Sequence, residues 1–133
     1  MADFPVSGHV VLTVNDLSVS VPWYQKLFGG ADPVIDEDTG PFRHVVWGFP
    51  NGFLVSLHGF KEFEKGGTFD ERRIGLDHFS FHVKSRAELE EWERKLDDMG
   101  IEHGKIVDAP YGSGLAFRDP DNIQLEFFAL PGT

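Results

Sequence analysis

An internal repeat constrains the fold of this chain more than any other feature of its sequence. The run GHVVLTV, which contains His9, aligns with the run DHFSFHV, which contains His78. In both copies a tryptophan follows the histidine by 14 residues and a leucine follows it by 18, and a glycine then ends the segment. Self-similarity of this kind indicates one supersecondary unit that is present twice.

Each copy of the repeat predicts one strand, one helix and three further strands. The second helix is predicted to begin at Ser85, where Ser-Arg-Ala-Glu fits a capping box, and to end at Gly100. The first helix is predicted to begin at Asp16 or Ser18. The strands after the helices are predicted at 32–35, 43–49 and 53–57 in the first copy and at 106–109, 115–118 and 123–128 in the second.

This order of elements defines a fold class and a domain plan. We predict an α+β protein made of two βαβββ modules, at about residues 6–59 and 76–130, with a polar, glycine-containing linker at 60–75. A length of 133 residues suits a single domain that spans 1–133.

Charge and cysteine content exclude several classes of function. With 22 acidic against 12 basic residues, the chain has a net charge of −10 and lacks the clustered cations that bind nucleic acid or an anionic membrane surface. It has no cysteine, so any metal site must use nitrogen and oxygen ligands. No secretory signal or membrane span is evident, and a cytoplasmic location is expected.

Alternation along the strands predicts which side chains share a face. In the first strand His9 lies on the face opposite the apolar residues that pack on the helix. In the second copy His78 and His82 lie on the corresponding face, and in the last strand Glu126 and Phe128 do. Counting six residues from each turn proline, Pro50 and Pro120, makes Ser56 the equivalent of Glu126. The predicted pseudo-symmetric quartet is His9, Ser56, His78 and Glu126.

Three members of this quartet suit a metal ion. Two imidazoles and one carboxylate, from His9, His78 and Glu126, form a facial triad with open coordination positions. The triad favours Fe(II) or Mn(II), with Zn(II), Ni(II) and Co(II) as alternatives. Substrate oxygens are expected at the open positions, where the metal would act as a Lewis acid or bind dioxygen beside the substrate.

Further side chains on this face suit acid–base chemistry and substrate contact. His58 lies two residues after Ser56 and is a candidate ligand, substrate-binding group or general base. Tyr111, in a glycine-rich segment at 111–114 predicted to be a mobile loop, is a candidate for touching substrate. Ser56, His82 and Phe128 are predicted to line the substrate pocket, whereas His44 is interpreted as a surface residue.

Together these segments resemble the vicinal oxygen chelate superfamily, which includes glyoxalase I, methylmalonyl-CoA epimerase, extradiol dioxygenases, fosfomycin-resistance transferases and bleomycin-resistance proteins. The matching segments are HVVLTVNDL leading to WYQKLFG, then LDHFSF, and RDPDNIQLE near the C-terminus. The resemblance implies two βαβββ modules that form a half-barrel, often in a homodimer, with His9, His78 and Glu126 as ligands. The chain differs from some of these relatives at the fourth ligand position, where it has Ser56 and where glyoxalase I has a glutamate and the epimerases have a glutamine.

Two functions from different classes follow from these residues. The first is a metal-dependent enzyme that acts on a small oxygen-chelating substrate, as a dioxygenase, a lyase or isomerase, or a resistance transferase, with His58 or Tyr111 carrying a proton. The second is a metal-free protein of the bleomycin-resistance type that sequesters a small molecule. The serine at position 56 and the aromatic content, 14%, favour the second.

Overall fold

The computed structural model describes residues 2–63 and 66–133, which form two helices and eight strands. They divide into a first half, Met1–Gly67, and a second half, Thr68–Thr133, so the division falls inside the predicted linker. Both halves have the order βαβββ, which confirms the predicted α+β class and its two modules. The elements are β1 (His9–Thr13), α1 (Leu17–Leu27), β2 (Ile35–Asp38), β3 (Phe42–Gly48), β4 (Leu54–Phe60), β5 (Phe79–His82), α2 (Arg86–Asp98), β6 (Val107–Ala109), β7 (Gly112–Arg118) and β8 (Gln124–Ala129).

Each half contains one four-stranded sheet, and the two sheets have the same topology. The strand orders are β1-β4-β3-β2 and β5-β8-β7-β6, with the first pair of each sheet parallel and the other pairs antiparallel. In the first sheet Ser56 is the cross-strand partner of Val11, and in the second Glu126 is the partner of Ser80. Because Val11 and Ser80 each lie two residues after a repeat histidine, the register makes Ser56 and Glu126 equivalent positions.

Helix α1 covers one face of the first sheet. Asp16 caps this helix by accepting hydrogen bonds from the backbone nitrogen of Ser18 at 2.9 Å and from its hydroxyl at 2.7 Å. Tyr24 is fully buried and Leu27 almost fully, as is expected of the apolar side of a helix that packs on a sheet. The buried residues of the first sheet and of the position directly after β1 are Leu12, Val14, Val45, Trp47, Val55 and Leu57.

Helix α2 covers the second sheet in the same way. Its predicted cap is confirmed, because the Ser85 side chain accepts a hydrogen bond from the backbone nitrogen of Glu88 at 3.2 Å. Leu89 and Leu96 are completely buried, and the Trp92 ring stacks on Phe127 at a centroid distance of 4.1 Å. The opposite faces of both sheets are thereby left for the polar side chains of the candidate site.

Two strand predictions were wrong. Strand β2 runs from Ile35 to Asp38 and not from residue 32 to 35, because its pairing with β3 begins at Ile35, after Pro33, which has no backbone N–H to donate. The segment 111–114 is not a mobile loop, since Gly112 already begins β7 and a two-residue turn containing Tyr111 connects it to β6. Glycine is required at position 112 because a Cβ atom there would collide with the Phe128 ring.

No helix within residues 2–63 and 66–133 combines the length and the apolar character that crossing a membrane requires.

Candidate functional site

Three polar side chains meet on the uncovered face of the second sheet. The Ser80 hydroxyl donates a hydrogen bond of 2.9 Å to Oε1 of Glu126, its cross-strand partner. His78, two residues before Ser80 and therefore on the same face, places its Nε2 atom 3.6 Å from the same oxygen. The parallel pairing of β5 with β8 thus brings together two of the three predicted metal ligands.

The geometry of this pair fits a shared divalent ion. An ion held about 2.0–2.2 Å from an imidazole nitrogen and a carboxylate oxygen is compatible with donor atoms 3.6 Å apart. The side chains are 40% exposed for His78 and 22% exposed for Glu126, so both are accessible from solvent. Neither half by itself groups three histidine or carboxylate side chains suited to a metal within the described residues, and His9 belongs to the first half.

A cavity of about 280 Å³ adjoins Glu126 in the second half. Its walls are mainly apolar, which suits the non-polar part of a small ligand. Tyr111 and Phe128, both predicted to touch substrate, lie on these walls with their rings nearly parallel and 6.5 Å apart between centroids. The lining includes Val107, Ala109, Tyr111, Gly114, Glu126 and Phe128.

His82 lies farther along the same face than the other predicted pocket residues. Its ring is exposed and 5.9 Å from the Phe128 ring between centroids. Four residues of strand separate it from His78, about 13 Å at the usual rise, so it is not a ligand of the same ion. It is not among the residues that line the cavity.

In the first half, Ser56 occupies the centre of the uncovered sheet face. Its side chain is only 6% exposed, and its hydroxyl oxygen has no hydrogen-bond partner among the described residues. Its cross-strand partners are Val11 and Val46, neither of which offers a polar side chain. A buried polar group without a partner is costly, so this hydroxyl is suited to bind a ligand atom.

His58 lies on the same face as Ser56, in an aromatic environment. Its ring stacks on Phe42 at 4.4 Å between centroids and meets the His44 ring edge-on at 5.7 Å. Burial, and secondarily the charge of His44, lower the pKa of His58 below its ordinary value near 6.5. A neutral imidazole that can accept a proton at neutral pH is the result.

The interpretation of His44 as a surface residue was wrong. The antiparallel register pairs His44 with His58, so the two rings share a face, and the His44 side chain is only 22% exposed. Its Nε2 atom lies 3.7 Å from a carboxylate oxygen of Glu37 on the neighbouring strand. Only the pairing of β3 with β4 places this histidine beside a predicted site residue.

Two residues of the site, Asp77 and Gln124, were not predicted from the sequence. An Asp77 carboxylate oxygen lies 2.8 Å from Nδ1 of His78 and accepts a hydrogen bond of 2.9 Å from the Gln124 side chain. The signal was present, because Asp77 directly precedes a predicted ligand and Gln124 lies two residues before Glu126, on the same face of β8. Gln124 is not a usual metal ligand and Asp77 lies outside the predicted quartet, and the contact between them spans 47 positions.

Residues 7–127 match the family model of the Glyoxalase/Bleomycin resistance protein/Dioxygenase superfamily. The chain belongs to this superfamily, which confirms the predicted relationship.

Individual relatives agree with this assignment. The chain is 32% identical to a glyoxylase/bleomycin resistance protein/dioxygenase domain from Frankia sp. EAN1pec, with a TM-score of 0.85 over 98% of this chain and 96% of that one. It is 28% identical over 121 residues to the metallothiol transferase FosB of Bacillus licheniformis, covering 90% of this chain and 71% of the relative. The fold is also that of a variant of the fosfomycin resistance protein FosX from Listeria monocytogenes, crystallised with Mn(II) and 1S,2S-dihydroxypropylphosphonic acid, at 20% identity, a TM-score of 0.68, and coverage of 94% and 90%.

Proposed function

We propose that this chain is a metal-dependent vicinal oxygen chelate enzyme in which His9, His78 and Glu126 bind one divalent ion. The observation that carries the proposal is the 3.6 Å separation of His78 Nε2 from Glu126 Oε1, with the other nitrogen of His78 engaged by Asp77. An imidazole whose Nδ1 donates to a carboxylate has its Nε2 lone pair directed at a metal. Fe(II) and Mn(II) are the favoured ions, and Zn(II), Ni(II) and Co(II) are alternatives.

The proposed substrate is a small molecule with two neighbouring oxygen donors. FosX holds Mn(II) and a dihydroxypropylphosphonic acid, and FosB is a metallothiol transferase, so we favour the resistance-transferase type over the dioxygenase and the lyase or isomerase types. A bound divalent ion would supply Lewis-acid polarisation of the substrate oxygens.

The protein side chains have separate roles in this proposal. Ser56, whose hydroxyl finds no partner in the described part of the chain, donates to a substrate oxygen, and Tyr111 and Phe128 contact the apolar part of the substrate in the cavity beside Glu126. His58, held neutral by its surroundings, accepts a proton, with Tyr111 as the alternative proton carrier. His82 contributes a polar contact at the far end of the same face.

Metal analysis of the full chain tests the proposal. After purification without chelator, we expect about one divalent ion per chain, retained at micromolar free metal. His78→Ala should lose this ion, whereas His103→Ala, which removes a histidine that binds Asp97 and Gly104 in the same half, should keep it. A wild-type protein that neither contains nor binds Mn(II), Fe(II), Zn(II), Ni(II) or Co(II) at micromolar concentration would refute the enzyme proposal.

The cavity supports a second candidate function, metal-free sequestration of a small aromatic or apolar molecule. Its apolar walls and the nearly parallel rings of Tyr111 and Phe128 suit such a ligand. The two functions differ in a direct assay with substrates that contain a dicarbonyl, a catechol or an epoxide. Turnover that disappears in His78→Ala supports the enzyme, and binding without metal or turnover supports sequestration.

The proposal also includes a homodimer and a cytoplasmic location. Strands β1 and β5 each lie at an edge of their sheet, where backbone groups are available to pair with another strand. Light scattering during size-exclusion chromatography should give twice the mass of a 15.0 kDa chain. Fractionation of the source cells should recover the protein with cytosolic markers.

A further inference from the structure

The ring of His78 is held from both sides. Its Nδ1 atom lies 2.8 Å from Oδ1 of Asp77, and its Nε2 atom faces Glu126 at 3.6 Å. An ionised carboxylate only accepts hydrogen bonds, so the proton of a neutral imidazole stays on Nδ1 when the ring donates to Asp77. The Nε2 atom then carries the lone pair on the side of the ring that faces Glu126.

Asp77 is in turn held by Gln124. The Gln124 amide nitrogen donates to Oδ1 of Asp77 at 2.9 Å and to its backbone oxygen at 3.2 Å. The amide oxygen accepts a hydrogen bond of 3.3 Å from Nη2 of Arg118. Since Arg118 only donates, it forces the oxygen of the amide toward itself and the nitrogen toward Asp77.

Arg118 is fixed by a carboxylate from the segment that precedes β5. Its two terminal nitrogens meet the two oxygens of Glu71 at 3.1 and 2.7 Å, and one of them also donates to the backbone oxygen of Asn122 at 3.3 Å. Such a bidentate pair defines the plane and direction of the guanidinium group. The hydrogen bonds from Arg118 also lower the pKa of Glu71, which keeps this carboxylate ionised.

We propose that Glu71, Arg118, Gln124 and Asp77 are positioning residues that act in series on His78, fixing its tautomer and ring direction for metal binding. Arg118 can only donate, and the ionised carboxylates of Glu71 and Asp77 can only accept. The orientation of the Gln124 amide and the position of the proton on the neutral His78 ring are therefore both fixed. This inference rests on the proposed function, because it assigns to the series the role of preparing a metal ligand.

The exposure of the series argues against a mainly structural role. The side chains of Arg118 and Glu71 are 37% and 25% exposed, and that of Asp77 is 63% exposed. Ion pairs and hydrogen bonds at such positions contribute little to the free energy of unfolding. Partners that orient a metal-binding histidine, in contrast, typically change metal affinity by about 10- to 100-fold when they are removed.

The experiment compares metal affinity and tautomer in the full-length protein. Mn(II) dissociation constants are measured by calorimetry for the wild type, Asp77→Ala, Gln124→Met and Arg118→Met. We expect an increase of about 10- to 100-fold for Asp77→Ala, with smaller increases for the two more distant changes. Arg86→Met is the matched control, since Arg86 forms a bidentate pair with Asp108 in the same half, at 2.8 and 3.0 Å, without contacting the series.

The second measurement separates this inference from the proposed function. In metal-free protein at a pH at which His78 is neutral, ¹⁵N NMR of the ring should show the proton on Nδ1 in the wild type and in Arg86→Met. It should show a mixture of the two tautomers in Asp77→Ala and, to a smaller extent, in Arg118→Met. If the wild-type protein binds neither Mn(II) nor any of the other divalent ions named above, the proposed enzyme function fails, and the comparison of His78 tautomers alone tests whether the series positions the ring. An unchanged tautomer in Asp77→Ala, or Mn(II) affinity within twofold of wild type in a protein that does bind Mn(II), overturns it.

Discussion

A Cβ atom at Gly114 would lie 2.8 Å from Oε2 of Glu126, so this glycine leaves the space that the carboxylate occupies. The relationship follows from the register of β7 and β8, in which Gly114 pairs with Phe128, two residues after Glu126. A Cβ atom at this distance would force the carboxylate group of Glu126 to move.

Gly114→Ala is therefore expected to displace the Glu126 carboxylate and weaken divalent metal binding by at least about tenfold, the loss of a well-placed ligand interaction. The thermal midpoint should change little, because the atom displaced is the end of a side chain. Titration with Mn(II) and thermal denaturation measure the two quantities. Gly104→Ala is the control, since its Cβ atom would meet the Ala116 backbone oxygen at an ordinary 3.7 Å. Equal metal affinity in both variants would contradict the proposed role of Glu126 as a metal ligand.

His44→Gln is expected to raise the pKa of His58. Burial is the larger cause of the lowered pKa and the charge of His44 the smaller, so the pKa of His58 should rise part of the way toward 6.5. NMR titration of the His58 ring protons measures this shift. His103→Gln, a change in the other half of the chain, should leave the pKa of His58 where it is in the wild type. A pKa of His58 that stays the same or falls on removal of His44 would show that the charge of His44 does not lower it.

The same lowered pKa gives the stability a defined dependence on pH. Because the unfolded chain binds a proton at His58 near pH 6.5 and the folded chain only at lower pH, the stability contribution of neutral His58 is complete above about pH 6.5. It is lost as the pH falls from there through the pKa of the folded state. His58→Gln should reduce the slope of the free energy of unfolding against pH in this window, as urea denaturation at several pH values will measure. An unchanged slope would assign the acid sensitivity to other groups.

Ser56→Ala is expected to stabilise the protein, by about 1 kcal/mol, because it removes a buried hydroxyl that has no partner among residues 2–63 and 66–133. Chemical denaturation measures this change. Ser80→Ala is the matched comparison, and it should destabilise, since the Ser80 hydroxyl donates to Glu126. If Ser56→Ala is destabilising to the same extent as Ser80→Ala, the Ser56 hydroxyl has a partner in solution. In the proposed enzyme, Ser56→Ala should also raise the substrate concentration needed for half-maximal rate.

Ser85→Ala should lower the free energy of unfolding by about 1 kcal/mol, because it leaves a backbone N–H at the start of α2 without its acceptor. Ser85→Asp restores an acceptor and should keep most of the wild-type stability. Urea denaturation of both variants provides the measurement. Equal destabilisation by alanine and aspartate would show that the cap does not contribute.

Much of the fold was predictable because it is encoded by local patterns. Alternation with a period of two assigned the faces of β1, β5 and β8, and the sequence around Ser85 marked the start of α2. The prediction of secondary structure failed where pairing with neighbouring strands determines whether a segment is a strand or a loop. Gly112–Gly114 looked like a loop on composition alone, yet these residues pair with β6 and β8, and their glycines make room for Phe128 and Glu126.

By itself, the sequence determined that the chain is two copies of one module and that His78 and Glu126 occupy matching faces of their strands, because repeat spacing and side-chain alternation are properties of the chain alone. Only the tertiary structure decided which groups orient those side chains. Glu71 reaches Arg118 across 47 positions, and Gln124 reaches Asp77 across 47 as well. Hydrogen bonds between residues so far apart depend on strand register and loop path, for which no local pattern exists. The sequence thus identified candidate ligands, and the folded second half revealed the series of contacts that holds one of them.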